Sequence, residues 1–523
     1  MTSPHFNAAD FGAIGDGVSK DTKALQNAID ICHDAGGGKV LLPAGKYLCG
    51  TLYLKSNVEL HLEAGAHILG SPDIEDYNED GNFPENQPFT SEHVTARHLI
   101  IAYRQENISI TGQGIIDGQS FQFFEPLPPE TSATYRHKTG NFPFKEWRPG
   151  QMVFFCRCKN VAVRDVKLLN SPYWTLFMLG CNDIQIRGLL IENPPATANG
   201  DGIDIDCCKN VTISDCIIRS GDDSITVRGN PRVLGEGDWT CENVVVTNCI
   251  LSTPCNAIRV GVGDGHVRNC LFNNIVITET SRGICLISLY RKTERSKHGT
   301  CIEDIHFSNF IIDADVPFTV GTGHDSQPPG AIRNISFRNF RITAWAGAQF
   351  VGTPKTPLES IVLQNFDWLV RGGSDNRSFQ NELPEPLSHH GYRGRDNQPA
   401  LPCALLGAYI TNLQIENFQL RWEEQGAVWR EGILLRNIDE ADLNNLHLRQ
   451  PQEDTSAAIS CNDVQQITLR NSRAAEGTST FLSIENADKS TFIRYVGNDF
   501  SEAKTPLKRN HQQIKLAPFQ DLL

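Results

Sequence analysis

Three aspartates stand in two short segments about twenty residues apart. Asp201 lies in NGDGIDID (199–206), and Asp222 and Asp223 lie in SGDDSITVR (220–228). If the segments are neighbours in space, three carboxyl groups share one face and cannot all ionise readily, so at least one pKa must rise. A protonated carboxyl beside ionised carboxylates can protonate a leaving glycosidic oxygen while the others activate water. The simpler interpretation is that NGDG and GDD only form turns, an interpretation better suited to Asp204 and Asp206.

A recurring sequence unit explains how these segments could meet. It reads CKNVAVRDV from Cys158, CNDIQIRGL from Cys181, CKNVTISDC from Cys208 and CENVVVTNC from Cys241, with later copies such as IRNISFRNF from Ile332. Its alternation of apolar and polar residues predicts short strands with one buried face. Repeats at intervals of roughly 20 to 35 residues indicate a solenoid in which each coil stacks on the next.

The fold that we predict is all-β: a right-handed parallel β-helix with an N-terminal capping helix. Asp21 is the expected N-cap of a helix from Thr22 to Ala35 with an apolar stripe, which Gly36–Gly38 ends. One domain, 1–523, would then comprise the cap and first coils (1–70), long loop insertions (71–150, chiefly 71–98 and 119–150), main coils (151–500) and an irregular C-terminal tail (501–523). Residues 372–400 are predicted as a further loop.

The recurrent cysteines have a structural explanation within this fold. The chain has 16 Cys, and their recurrence at the start of each copy places them at one interior corner as small apolar residues. Buried thiols and disulfides both remain open. Their spacing does not match a zinc site, and Asn residues at the turns could bond along the solenoid axis.

Charge and hydropathy limit the partners. The net charge of −14 argues against nucleic acid and anionic membrane as partners, and an acidic glycan would need local Arg or Lys. No apolar run is long enough to span a bilayer. The start of the chain lacks the pattern of a signal peptide, which leaves a cytoplasmic protein or a secreted one without its signal. The sequence does not determine the oligomeric state.

The chain resembles glycoside hydrolase family 28, the polygalacturonases and their relatives. FNAADFGAIGDG, DTKALQNAID and GGGKVLLPAGKY near the start, then NSPYWTLFMLGCNDIQI, NGDGIDID and SGDDSI, follow the order and spacing of that family over residues 6 to about 345. The resemblance implies hydrolysis with inversion, with Asp222 as general acid and Asp201 and Asp223 holding and activating water. It implies no cofactor, and we assign no residue to a metal.

Two departures from the family affect the substrate. In CNAIRVGVGDG, Asn256 stands where the family has the His of Gly-His-Gly, and Arg259 is new; in SRGICLISLYR, Cys285 and Ile287 replace the family's Arg and Lys that grip a galacturonate carboxylate.

The candidate substrate contacts follow from these departures and from the neighbouring coils. Arg259 could bind a carboxylate, as could Arg282 and Arg291, for which exposed surface is the simpler expectation. Trp174 could stack on a sugar or pack in the core. Asn199 could orient Asp201 or bond a hydroxyl. The candidates for substrate binding are therefore Asn199, Trp174, Asn256, Arg259, Arg282 and Arg291.

Three functions fit these observations. The first is a glycosidase acting on a pectin-related or other plant oligosaccharide, with the long loops closing one end of the groove for exo-action. The second is a polysaccharide lyase, in which the aspartates would bind Ca²⁺ and a base such as Arg228 would start β-elimination. The third is a carbohydrate-binding β-helix that has lost catalysis.

Overall fold

The computed structural model describes residues 4–88, 90–288, 298–322, 330–371, 401–423, 429–451, 457–487 and 490–513. The chain divides into two compact units. The first comprises Met1–Arg259, Gly265–Leu271 and Glu279–Ser281, and the second comprises Val260–Asp264, Phe272–Thr278 and Arg282–Leu523. The prediction of one continuous domain stays a prediction.

In the first unit each coil contributes strands to three parallel sheets, which we name A, B and C. Sheet A contains Leu52–Tyr53, Ile100–Tyr103, Val153–Cys156, Leu176–Leu179, Ile203–Asp206 and Ile225–Gly229. Sheet B contains His5–Asn7, Gly38–Leu42, Val58–Leu62, Glu106–Gly112, Lys159–Arg164, Asn182–Arg187, Lys209–Ser214 and Cys241–Ser252. Sheet C contains Asp16–Lys20, Gly45–Cys49, Ala66–Gly70, Ile115–Asp117, Lys167–Leu169, Leu190–Glu192 and Ile217–Arg219, and the last of these pairs with the end of Cys241–Ser252.

The second unit repeats the parallel stacking with longer strands. They are Cys301–Thr322, Ala331–Ala344, Ala348–Val351, Glu359–Val370, Cys403–Trp422, Glu431–Leu448, Ala457–Arg470, Arg473–Ala474, Thr478–Glu485, Phe492–Val496, Ala503–Arg509 and Gln512–Gln513. All of their assigned pairings are parallel except that of Ala503–Arg509 with Gln512–Gln513. Strands Asn256–Gly263 and His266–Ser288 have residues in both units. Successive parallel coils make each unit a β-helix, and the all-β prediction is confirmed.

The repeat residues occupy the positions that the sequence predicts. All sixteen cysteines are free thiols. The amide of Cys158 donates to Cys181 Sγ and the amide of Cys181 donates to Cys208 Sγ, each at 3.3 Å. These sulfurs fill one interior corner of successive coils.

Asparagines at the turns form ladders along the coils. In the second unit the ladder runs Asn273–Asn309–Asn339–Asn365–Asn417–Asn445, joined by amide–amide bonds of 2.7 to 2.9 Å. The last five have positive φ values between 51° and 61°, and Asn adopts this left-handed conformation more readily than most residues. The ladder therefore satisfies both the turn geometry and the exposed amides.

The structure contains one α-helix within the described residues, Thr22–Asp34, close to the predicted bounds. Its buried residues are Leu25, Ala28, Ile29 and Cys32. Asp21 precedes the helix, but its carboxylate accepts from the amides of Ile14 and Gly15 at 2.7 and 3.1 Å and does not cap the helix through its side chain. That helix is neither long nor apolar enough to cross a membrane.

The long segments between early coils carry little regular structure. The described residues of 71–98 and 119–150 hold the 3-10 turns Ile74–Asp76, Thr90–Glu92 and Ser120–Gln122 and isolated antiparallel bridges between Phe124 and Phe144 and between Ala133 and Lys138. Two more 3-10 turns, Ala8–Phe11 and Pro231–Val233, lie elsewhere. The predicted loop 372–400 lies outside the described residues. Within the predicted tail 501–523, Ala503–Arg509 pairs with Thr478–Glu485, so this part is not irregular; residues 514–523 lie outside the description.

We expect Asn339→Ala to lower the free energy of unfolding by about 1–3 kcal/mol. The change removes two ladder hydrogen bonds and places Ala at φ 61°, a conformation that costs an L-residue about 1–2 kcal/mol. Asn339→Gly loses the bonds but tolerates the backbone, so it should cost less. Denaturant unfolding followed by tryptophan fluorescence measures both variants. An alanine variant as stable as the wild type would show that the ladder contributes nothing.

Candidate active site

The coil register places Asp223 beside Asp201. Ile203 pairs with Ile225 in sheet A, and the Gly202 amide donates to the Asp223 carbonyl at 2.9 Å. Asp201 and Asp223 therefore occupy equivalent positions on adjacent coils, about 4.8 Å apart along the strand-stacking direction. The stack continues to Asn256, whose carbonyl accepts from the Ser224 amide at 2.9 Å.

Asp223 is buried but strongly bound by its neighbours. One carboxylate oxygen accepts from Arg259 Nη1 at 2.9 Å and the other from the side-chain amide of Asn256. Burial alone would raise the pKa of Asp223, but the Arg259 charge and the hydrogen bonds outweigh it and hold the pKa below its usual value. Asn256 and Arg259 thus both contact Asp223 and favour its ionised form.

Asp201 has the opposite environment. Its side chain is buried, and its Oδ1 has no hydrogen-bond partner. Burial raises the pKa of Asp201 well above the usual value, and the negative charges of Asp204, Asp222 and Asp223 add to that rise. The two carboxyl groups are therefore shifted in opposite directions: Asp201 holds its proton more tightly than a free aspartic acid does, and Asp223 holds it less tightly.

Asp222 is the most accessible of the three carboxyl groups. It is half-buried, and among the described residues no donor bonds its carboxylate. Its backbone is fixed, because its carbonyl accepts from the hydroxyls of Ser220 (2.7 Å) and Thr253. The carboxyl group is held at a defined place with its oxygens available to another molecule.

A buried ion cluster lies beside the trio. Arg228 Nη1 is 3.5 Å from Asp204, and Arg228 Nε is 3.5 Å from Asp206. The guanidinium lies 4.4 Å from the Trp174 ring centre, and Trp174 also stacks on Tyr173 at 5.0 Å. Trp174 is only 6% exposed, so packing accounts for its environment. Asp204 and Asp206 hold Arg228, in keeping with their expected structural role.

Arg148 organises the turn that carries Asp201, a role that the sequence did not reveal. This fully buried guanidinium donates to the carbonyls of Pro172 (3.0 Å), Ala198 (2.7 Å) and Glu92 (2.7 Å), and to Asn199 Oδ1 (3.1 Å). Burial lowers the pKa of Arg148 to about 10. Asn199 therefore bonds Arg148, and its predicted contact with substrate or Asp201 stays a prediction. Arg148 belongs to the loop insertion, where no motif or spacing marks it.

Segment 119–150 lies against the aspartate coils at three further points. Phe142 N–H donates to Ala196 O at 3.0 Å, Tyr135 Oη donates to Asn193 O at 3.0 Å, and Lys138 Nζ donates to Gly221 O at 2.6 Å. Because Gly221 immediately precedes Asp222, this loop forms one border of the site.

A cluster of apolar side chains, which we call the apolar cover, packs over the coils that precede Asp201. The residues of the cover come from three places: Phe83 and Val94 from segment 71–98, Leu234 from the loop after Ile225–Gly229, and Phe154 and Phe177 from sheet A. Phe154 and Phe177 stack at 5.1 Å between ring centres. On the coils before Asp201, these side chains therefore cover the outer face of sheet A.

The remaining predicted residues belong to the second unit. Arg282 is 2% exposed, so the expectation of a solvated Arg282 is wrong; it lies in the buried half of a strand with Cys285 and Ile287. Arg291 lies outside the described residues. The predicted contacts of both arginines with substrate stay predictions.

Cys255 completes a group that could hold a metal ion. Its Sγ and one oxygen each from Asp222 and Asp223 lie within 4.8 Å of one another. Both oxygens of Asp223 already accept bonds from Arg259 and Asn256. A thiol ligand also does not suit Ca²⁺, which prefers oxygen donors. The group therefore gives little support to the calcium-dependent alternative.

Comparison with known proteins identifies relatives of the chain. The model of the glycosyl hydrolases family 28 matches residues 32–316. A probable polygalacturonase of Vitis vinifera is 32% identical over 381 residues, which are 68% of this chain and 72% of the relative. An exopolygalacturonase of Zea mays is 26% identical over 398 residues, 72% of this chain and 85% of the relative. The crystal structure of a hyperthermoactive exopolygalacturonase from Thermotoga maritima is similar in fold, with a TM-score of 0.54 and 24% identity over 71% of this chain and 89% of that one.

We expect Asp201→Asn to stabilise the protein at pH 7 and to have little effect near pH 3. The folded-state pKa of Asp201 is raised, so the wild type loses stability as the pH rises above the unfolded-state pKa, by about 1.4 kcal/mol for each unit of the shift. Asparagine removes this loss. Thermal unfolding across pH 3–7 tests the expectation.

The control for this variant is Asp215→Asn. Asp215 is exposed, and hydrogen bonds from Asn248 and Ser214 lower its pKa, so its removal should not stabilise the protein at pH 7. An Asp201 variant that melts at or below the wild-type temperature at pH 7 would contradict the raised pKa.

Proposed function

Because the chain belongs to the glycosyl hydrolases family 28, a family of glycoside hydrolases, we propose that it hydrolyses a pectin-related oligosaccharide with inversion. Asp222 serves as general acid, and Asp201 and Asp223 hold and activate the attacking water. The observation that carries this proposal is the contrast within one stack of coils: burial raises the pKa of Asp201, Arg259 lowers the pKa of Asp223, and Asp222 is accessible.

The roles follow from the environments of the three groups. Asp223, kept ionised by Arg259, can accept a proton from water, and the buried Asp201 can bond that water through its unpartnered Oδ1. Asp222 is the member whose carboxyl group is accessible, so it can donate a proton to the glycosidic oxygen. Because the raised pKa of Asp201 favours its protonated form, we propose that the trio shares its protons, with Asp222 carrying one when substrate binds.

The apolar cover supports action at a chain end. With Phe83, Val94 and Leu234 packed over the coils before Asp201, a glycan cannot continue in that direction along sheet A. Relatives named exopolygalacturonases agree with this restriction. The substrate would therefore enter with one end and lose a short terminal unit.

Two features of the fold belong to the same proposal. We propose a right-handed winding, because crossovers between parallel strands are right-handed in about 98% of cases. The helix Thr22–Asp34, with its apolar stripe buried, would cover the first coil, whose core and strand edges would otherwise meet water.

We expect Asp222→Asn to lower kcat about 10²- to 10⁴-fold, the usual contribution of a general acid, without altering the melting temperature by more than a few degrees. Asp183→Asn is the matched control: this exposed aspartate accepts a ladder bond from Asn210 and should leave kcat unchanged. Release of reducing sugar from pectic oligosaccharides measures both. Unchanged activity in the Asp222 variant would refute its catalytic role.

We expect the first-formed product to have the opposite anomeric configuration to the bond cleaved. Proton NMR during the first minutes of hydrolysis, before mutarotation, reports the anomer. A product of retained configuration would exclude the mechanism proposed. A product absorbing in the ultraviolet would indicate elimination by a lyase, and no product from any pectic glycan would favour a binding protein.

A further inference from the structure

We propose that Lys138, carried by a hairpin of the 119–150 insertion, binds the carboxylate of a uronate residue in the substrate and replaces the grip that the chain has lost. This inference rests on the proposed function, and it narrows the substrate from a pectin-related glycan to one with a free carboxylate at the site. Cys285 and Ile287, at the usual Arg and Lys positions, have no charge and are buried, so a uronate grip needs another cation.

Among the described residues, three arginines that contact the coils around the trio are already engaged. Arg148 donates to backbone carbonyls and Asn199. Arg228 lies between Asp204 and Asp206, and Arg259 is paired with Asp223.

Lys138 differs from the other three cations in its partner. Within the described part of the chain its ammonium bonds only the neutral carbonyl of Gly221, at 2.6 Å. An ammonium has three donors, and a half-buried one without an anionic partner is incompletely compensated for lost hydration. Two donors therefore remain for an incoming carboxylate.

The position of Lys138 is fixed by its hairpin. Ala133 and Lys138 form an antiparallel bridge, and the amides of Thr134 and His137 bond across the turn at 2.8 and 3.1 Å. Tyr135 Oη ties the tip to Asn193 O. The ammonium is thus held in advance of binding, which reduces the entropy lost on complex formation.

The neighbouring residues agree with an anion site. Gly221, to which Lys138 donates, precedes the proposed general acid Asp222, so a bound carboxylate would belong to a sugar next to the cleaved bond. Lys138 thus lies on the side of the loop that faces the aspartate coil. In a chain of net charge −14, a local cation such as Lys138 would be the means of attracting an acidic glycan.

The test compares a trigalacturonate with its carboxyl-reduced, neutral counterpart. We expect Lys138→Met to raise KM for the trigalacturonate about 10- to 100-fold, as for loss of a charge-assisted hydrogen bond, with a much smaller change in kcat. KM for the neutral substrate should stay within about twofold, and Lys138→Arg should recover most of the affinity. The control is Lys145, a lysine of the same loop that donates to Gln122 O at 3.1 Å. Lys145→Met should leave KM unchanged for both substrates.

The outcomes separate this inference from the proposed function. The inference is overturned if the wild type cleaves the trigalacturonate but Lys138→Met leaves KM for it unchanged, or raises KM for both substrates equally. Either result would show that Lys138 only anchors the loop. A wild type that prefers the neutral substrate also overturns it. If the wild type cleaves neither substrate nor any other pectic glycan, the proposed function itself fails.

Discussion

The site depends on the hydrogen-bonded register between adjacent parallel coils. Because Ile203 pairs with Ile225, each residue of Ile203–Asp206 has its counterpart 22 positions later, and the same offset stacks Asp223 on Asp201. A slip of one residue would turn every side chain of the strand to the opposite face of the sheet. The buried Ile and Val positions and the cysteine corner hold this register, so the packing of the core positions the carboxyl groups.

The register brings the carboxyl groups together, and their different neighbours then shift the pKa values of Asp201 and Asp223 in opposite directions. Asp201 and Asp223 are both almost fully buried, yet Arg259 and Asn256 bond Asp223. Asp201 has an unpartnered oxygen, and the negative charges of its aspartate neighbours outweigh the positive charge of Arg228. Burial without compensation favours the neutral acid, and burial with a cation favours the carboxylate. Asn256 and Arg259, the departures from the family pattern, are the residues that bond Asp223.

The loop insertions define what surrounds the aspartates. Segment 71–98 contributes to an apolar cover on one side of the site, and segment 119–150 places Arg148 under the Asp201 turn and Lys138 beside Gly221. Coils of a β-helix accept such insertions because a loop leaves the stack and returns without disturbing the register. The coils can thus keep the cleavage residues while loops change the substrate, which is how we interpret an intact aspartate trio without the usual uronate grip.

The sequence by itself determined the structural features that follow from local, periodic residue patterns. Alternating strands, recurrent cysteines and turn asparagines specified a coil stack, because each copy repeats the same pattern of burial and turn geometry. The helix at Thr22–Asp34 followed from its apolar stripe. The separation of Asp201 from Asp222 and Asp223 indicated that they lie on neighbouring coils, although spacings of 21 and 22 were equally compatible with one coil.

Only the tertiary structure decided between those spacings, since hydrogen bonding between coils selects the register. It also decided which carboxyl group has a raised pKa and which a lowered one, because pKa depends on burial and on charged residues from distant parts of the chain. The burial of Arg282, the strand at Ala503–Arg509 and the bonds of Arg148 and Lys138 had no repeating signal in the sequence. These residues act through single long-range contacts, and a single contact leaves no period from which it could be predicted.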